Sequence, residues 1–216
     1  MTLDKPATDG PLARSHSNLK GEANAEIAEL DMNAVEIVVI VDAAACNRAC
    51  EDLRAAETPL VIGFDSEYKA PLPAGQTRKA ATVQLCASST KVYIFQVHRW
   101  GSCFESFKRL MSDENVRKVA HNKSADVIPL EARFPGLSVA GVEELKPIAR
   151  QAAKTLLLDN KLTTYVRTVL KASMPWKTSA DHLQWEAEFL DEGQQSMRFP
   201  VQYNCLAYGL ALSLEI

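Results

Sequence analysis

Short apolar runs alternate with amphipathic stretches along most of this chain. The run AVEIVVIV (Ala34–Val41) is rich in β-branched residues, which predicts a buried strand. DAAACNRACEDLRAAE (Asp42–Glu57) has helical periodicity, and Asp42 stands where a side-chain oxygen would cap the first free amides. LVIGFDSEY (Leu60–Tyr68) predicts a second strand. KAPLPAGQTRKA (Lys69–Ala80), with two prolines and a glycine, predicts a loop. ATVQLCAS and KVYIFQV read as strands joined by a turn at SST. With the second strand they predict a three-stranded antiparallel meander.

From Cys103 onward the period lengthens. CFESFKRLMSD (Cys103–Asp113) predicts a helix, VRKVAHN (Val116–Asn122) a short strand, and SADVIPLEARF (Ser124–Phe134) a helix with a proline near its start. VEELKPIARQAAKTLLL (Val142–Leu158) predicts a helix broken at Pro147, and LTTYVRTVLK (Leu162–Lys171) another. The apolar PVQYNCLAYGLALSLEI (Pro200–Ile216) opens with a proline that a helix first turn accepts. Strands come first and helices later, so the fold class is α/β, a mixed sheet flanked by helices. Residues 1–33 are polar, carry Pro6, Gly10 and Pro11, and lack apolar periodicity; they predict a flexible leader ahead of one domain over residues 34–216.

Composition narrows the function classes. With 47% hydrophobic and 24% charged residues, the 216-residue chain has the balance of a soluble globular protein. A formal net charge of −3 argues against a broad basic face that coats duplex backbone. It leaves room for an enzyme that grips a single nucleic-acid end through metal ions. Five cysteines (Cys46, Cys50, Cys86, Cys103 and Cys205), an odd set without a CxxC pair, read as reduced thiols of an intracellular protein, nuclear or cytoplasmic. The histidines are scattered, which disfavours structural zinc. No apolar run approaches the roughly 20 residues of a membrane span, and the N-terminus shows no signal-peptide core.

Two stretches carry candidate chemistry. In FDSEY, Asp65 and Glu67 stand two apart and so share one face of a strand. Their charges repel, and a hard divalent cation with oxygen ligands is the usual remedy; a strand end where two acids meet water is the alternative. In HNKSAD, Asn122 and Asp126 stand four apart, one above the other on a helix. That spacing lets Asn122 hold the helix entry while Asp126 points toward the strand of Asp65 and Glu67. Each taken alone reads as a cap and a dipole partner. Lys69, Arg78 and Lys79 flank the loop after the first acids, where they could meet substrate phosphates; a solvated hairpin loop is the alternative. Trp176, Trp185 and Tyr165 read as core rather than base-stacking residues, and Gln84 as structural.

Taken together, FDSEY, HNKSAD and the late QYNCLAYGLAL resemble the DEDD superfamily of 3′–5′ exonucleases, most closely its tyrosine-bearing branch, which includes RNase D and the Werner-syndrome exonuclease domain. The resemblance runs from Ala34 to Ile216. It implies an RNase H-like fold that binds two divalent cations, Mg²⁺ or Mn²⁺. Asp65 would bridge both ions, Glu67 would ligate one, Asp126 would support the site, Tyr203 would orient the attacking water, and Asn122 would lie beside the substrate. The implied activity is hydrolysis of single-stranded DNA or RNA from the 3′ end to nucleoside monophosphates. One position departs. The family's third motif is Tyr, three residues, then Asp; here Tyr203 is followed four residues on by Ala207, and the other candidate, Tyr208, leads to Leu212. The set is three acids, not four. Loss of such a group, introduced or inherited, slows turnover by orders of magnitude. A second reading therefore stands beside the first: an inactive exonuclease-like module that binds nucleic acid or a protein partner.

Overall fold

The computed structural model of the chain describes residues 28–29, 35–55, 60–68, 75–88, 90–153, 161–170, 172–173, 185–187 and 190. β1 (Ala28–Glu29) lies in the stretch read as a leader. β2 (Glu36–Ile40) leads into α1 (Ala43–Arg54), whose cap is the one the sequence predicts: the Asp42 carboxylate accepts the Ala45 amide at 2.8 Å. β3 (Val61–Tyr68), β4 (Ala80–Cys86) and β5 (Lys91–Phe95) follow as an antiparallel meander. Then come α2 (Glu105–Ser112), β6 (Arg117–Ala120), α3 (Lys123–Arg133), β7 (Val142–Glu144), α4 (Leu145–Ala153) and α5 (Leu162–Tyr165). β8 (Ala172–Ser173) pairs in parallel with β1 as a two-residue ladder.

The main sheet has six strands in the order β2–β5–β4–β3–β6–β7. Its centre is antiparallel, while β2 joins β5, and β6 and β7 extend β3, all in parallel. Strand alternation sorts the side chains into two layers. Phe64, Val83, Leu85, Tyr93 and Phe95 pack with α1 and α2 through Cys46, Leu53, Phe107 and Leu110. Cys86, Val92 and Ile94 face the other way, against Trp185 and Leu190. Burying both faces explains why these strands read as nearly continuous apolar runs.

Three predicted elements need correction. Val142–Glu144 is a strand rather than the start of a helix, pairing in parallel with β6. The Arg117 guanidinium grips both carboxylate oxygens of Glu143 across that pair, at 2.8 and 3.0 Å. Pro147 does not break a helix: it sits in the first turn of α4, where its missing amide has no intrahelical partner to lose. Pro129 lies inside α3, not near its start. In addition, the segment predicted as one helix from Leu162 widens into π-helical turns over Val166–Leu170.

Beneath β6, Lys118 is fully buried and donates to three backbone carbonyls, those of Asp113, Val116 and Ala140, each at 2.9 Å. Three acceptors match the three donors of an ammonium, while burial pushes its pKa from 10.5 down to about 8. Gly141 beside it has φ +65°, and a Cβ there would stand 2.6 Å from the Val116 carbonyl. The knot fixes β6 against β7, and β6 delivers the chain directly into α3.

Two irregularities prepare a site at the C-terminal end of β3. Pairing of β3 with β6 stops at Gly63↔Val119, because the chain leaves β6 for α3. The second half of β3 thus loses its strand partner on that edge. On the other edge, the register with β4 shifts between Glu67 and Tyr68, a bulge that re-aims the strand end.

Among the described residues, no helix is long and apolar enough to cross a membrane.

Candidate functional site

The vacated edge of β3 is filled by α3. Its first turn is anchored by Asn122, whose side-chain oxygen accepts the Ala125 amide at 3.4 Å. One turn later Asp126 turns inward and is 5% exposed. Its Oδ1 accepts the Ser66 amide at 3.1 Å, and the Ser66 hydroxyl donates to the Asp126 backbone oxygen at 3.0 Å. A carboxylate therefore takes the hydrogen bond that a strand carbonyl would have taken, had β6 continued.

The contact places Asp126 beside the flanking acids. Ser66 is buried, and Asp65 and Glu67 on either side are half-buried on the opposite face of the strand. Burial and then the charge of Asp65 hold the Asp126 acid well above the usual carboxylate range; a hydrogen bond to Asp65 and the charge of Glu67 act in the same direction, and the Ser66 amide opposes them. Burial and nearby like charge both disfavour the ionised form of the acid. The structure thus sets Asp126 against Asp65, about sixty residues away in the chain, with Glu67 near enough to act on the pair through its charge. A plain α/β domain with coincidental acids would have scattered them.

Such a set suits a hard cation. Its donors are all carboxylate oxygens, the ligand type of Mg²⁺ and Mn²⁺, and an ion would offset the repulsion among them. Among the described residues, no three Asp, Glu, His or Cys side chains close around one point; Asp65 and Asp126 are in contact, and Glu67 acts on the pair through its charge.

The other candidates are distributed around this centre. Arg78 and Lys79 are exposed, immediately before β4. Arg78 donates to the Tyr68 hydroxyl at 3.0 Å and lies over the Tyr68 ring at 4.8 Å, so it rests on the residue next to Glu67. Lys69, Tyr203, Ala207 and Trp176 lie outside the described residues. Trp185 and Tyr165 are buried core residues, Tyr165 against the His121 ring at 5.7 Å. Sequence reading missed Ser66 as the clasp for Asp126. The available signal was a small polar residue between two acids, at a position whose alternation points into the core.

A family model described as 3′–5′ exonuclease matches residues 37–190, well over half of the chain. The chain is 26% identical over 120 residues to the mouse bifunctional 3′–5′ exonuclease/ATP-dependent helicase WRN, a match covering 55% of this chain and 8% of that one. Among solved structures it is similar to Escherichia coli RNase D, an exoribonuclease involved in structured RNA processing (TM-score 0.65, 16% identity, 84% of this chain and 46% of that one). It is also similar to Brucella melitensis NrnC with bound Mg²⁺ (TM-score 0.59, 17% identity, 83% and 78%). The chain thus spans less than half the length of WRN and of E. coli RNase D. The shared fold is the RNase H-like mixed sheet with flanking helices.

Proposed function

Because the chain belongs to the 3′–5′ exonuclease family, we propose that its paired carboxylates bind divalent cations and serve hydrolysis of single-stranded nucleic acid from the 3′ end, releasing nucleoside monophosphates. The observation that carries this reading is the contact of Asp65 with buried Asp126, held by Ser66 at the end of β3. The match to a structure with bound Mg²⁺ and to an exoribonuclease supports the choice of cation and substrate class.

In this reading Asp65, Glu67 and Asp126 hold two cations, Mg²⁺ or Mn²⁺. When bound, such ions polarise the scissile phosphate, acidify a water and stabilise the leaving oxygen. In the reaction, water oxygen bonds to phosphorus, the bond from phosphorus to the 3′-oxygen breaks, and that oxygen takes a proton. Tyr203 orients the water. Asn122, at the mouth of α3, lies beside the terminal nucleotide. Lys69, Arg78 and Lys79 meet phosphates of the incoming strand. This is the tyrosine-bearing DEDD arrangement with its fourth acid replaced by Ala207, so turnover is slow. The missing acid is also the one observation that favours the second reading, a binding module without efficient cleavage.

The test is a Mn²⁺-dependent nuclease assay on 5′-labelled single strands, comparing the chain with Ala207→Asp. Stepwise shortening from the 3′ end, faster in Ala207→Asp, supports the enzyme. No shortening by either protein, with strand binding retained, leaves the binding module.

A further inference from the structure

We infer that Gln84 is a positioning residue for the cation site: its buried amide oxygen is set to accept a hydrogen bond from water held by the cation. The inference rests on the reading of Asp65 and Asp126 as cation ligands.

Gln84 lies on β4 directly opposite Asp65. Opposed residues of an antiparallel pair share a face, with Cβ atoms about 4.5–5.5 Å apart. Gln84 is 0% exposed. Its Nε2 donates to Thr82 Oγ1 at 2.9 Å, and Thr82 stands opposite Glu67. The amide therefore leans along β4 from the register of Asp65 to that of Glu67, over the row that carries both acids.

Its Oε1 has no hydrogen-bond partner among the described residues. A buried oxygen left without a donor is a cost that folding seldom tolerates without cause. On the same face the strand continues to Cys86, and Ile94 stands across on β5; both are buried and apolar. An apolar side chain would suit that row. None of the described acids supplies the donor. On this reading the donor arrives with the ligand. A cation between Asp65 and Asp126 brings its own water, and an uncharged oxygen beside it adds an acceptor without adding to the repulsion among the acids. Partners of this outer kind commonly change metal affinity 10–100-fold.

The experiment is calorimetric titration of the whole chain with Mn²⁺, alongside Gln84→Met and Gln84→Glu, with the Mn²⁺-induced shift in Tm as a second readout. Gln84→Met matches the volume and removes the oxygen; it is expected to bind Mn²⁺ 10–100-fold more weakly, with no loss of Tm in the absence of the ion. Gln84→Glu keeps the oxygen and is expected to bind at least as tightly as the natural chain. Unchanged Mn²⁺ affinity in Gln84→Met, with only its ion-free Tm lowered, would make Gln84 a packing residue and overturn the inference. Equal weakening in both variants would assign the role to the amide N–H and overturn it as well. A natural chain that takes up no Mn²⁺ would remove the cation reading itself, a result distinct from either of these.

Discussion

Ser66 clasps Asp126 through its amide to Oδ1 at 3.1 Å and through its hydroxyl, to the backbone oxygen at 3.0 Å and to Oδ1 at 3.5 Å. These bonds seat a helix residue on the strand that carries Asp65 and Glu67, replacing the ladder that β6 gives up. Ser66→Ala keeps the amide and loses the hydroxyl. It is expected to cost about 1 kcal/mol, read as a lower urea midpoint with an unchanged slope. An unchanged midpoint would show that the hydroxyl bond contributes nothing.

The strained acid beside it makes stability depend on pH. Burial, then the charge of Asp65, raises the Asp126 acid well above its ordinary value. A carboxyl raised on folding holds its proton more readily when folded, so stability falls as pH climbs from the usual carboxylate range through the raised value. Asp126→Asn keeps an acceptor for Ser66 and removes the charge. Without divalent ions it is expected to melt a few degrees above the natural chain at about pH 8, with a shallower dependence on pH. Mn²⁺ should then raise the Tm of the natural chain but not of the variant. A lower ion-free Tm in Asp126→Asn would contradict the repulsion argument.

Much of this centre was legible in the sequence, for a local reason. Asp65 and Glu67 share a strand face, and Asn122 and Asp126 share a helix face, by periodicity alone. The Asp42 cap was readable in the same way. What escaped was decided by distant partners. Val142–Glu144 runs without interruption into the helix of Leu145–Ala153, and only its parallel pairing with β6 and the Arg117–Glu143 pair make it a strand. Lys118 sits in VRKVA with nothing local to announce a buried ammonium; its three carbonyls come from the segments leading into β6 and β7. The bulge at Glu67/Tyr68 likewise belongs to the pairing, not to either strand.

That buried lysine gives a stability test away from the site. Lys118→Met removes a donor from three carbonyls and is expected to cost roughly 1–3 kcal/mol for each one left unsatisfied. Because burial lowers the Lys118 pKa to about 8 from 10.5, the unfolded chain binds the extra proton between those values. The natural chain should therefore gain stability relative to the variant as pH rises through that window. Denaturant titrations of both proteins, repeated across it, check the sign.

Arg78 offers a test of substrate contact that leaves the acids alone. Its guanidinium rests on Tyr68, beside Glu67, and its charge is solvent-facing. Arg78→Ala is expected to weaken single-strand binding several-fold and to reduce the salt dependence of log K by about one phosphate contact. Mn²⁺ affinity should stay as it was. Fluorescence anisotropy at a series of salt concentrations measures the first two, and unchanged binding at every salt concentration would free Arg78 from any role in gripping the strand.

The most direct measurement is anomalous diffraction from crystals of the chain soaked in Mn²⁺. The account predicts anomalous density bridging Asp65 and Asp126, with an Asp65 carboxylate oxygen at about 2.1 Å. Soaked crystals without density there, with the two carboxylates still joined to each other, would contradict it.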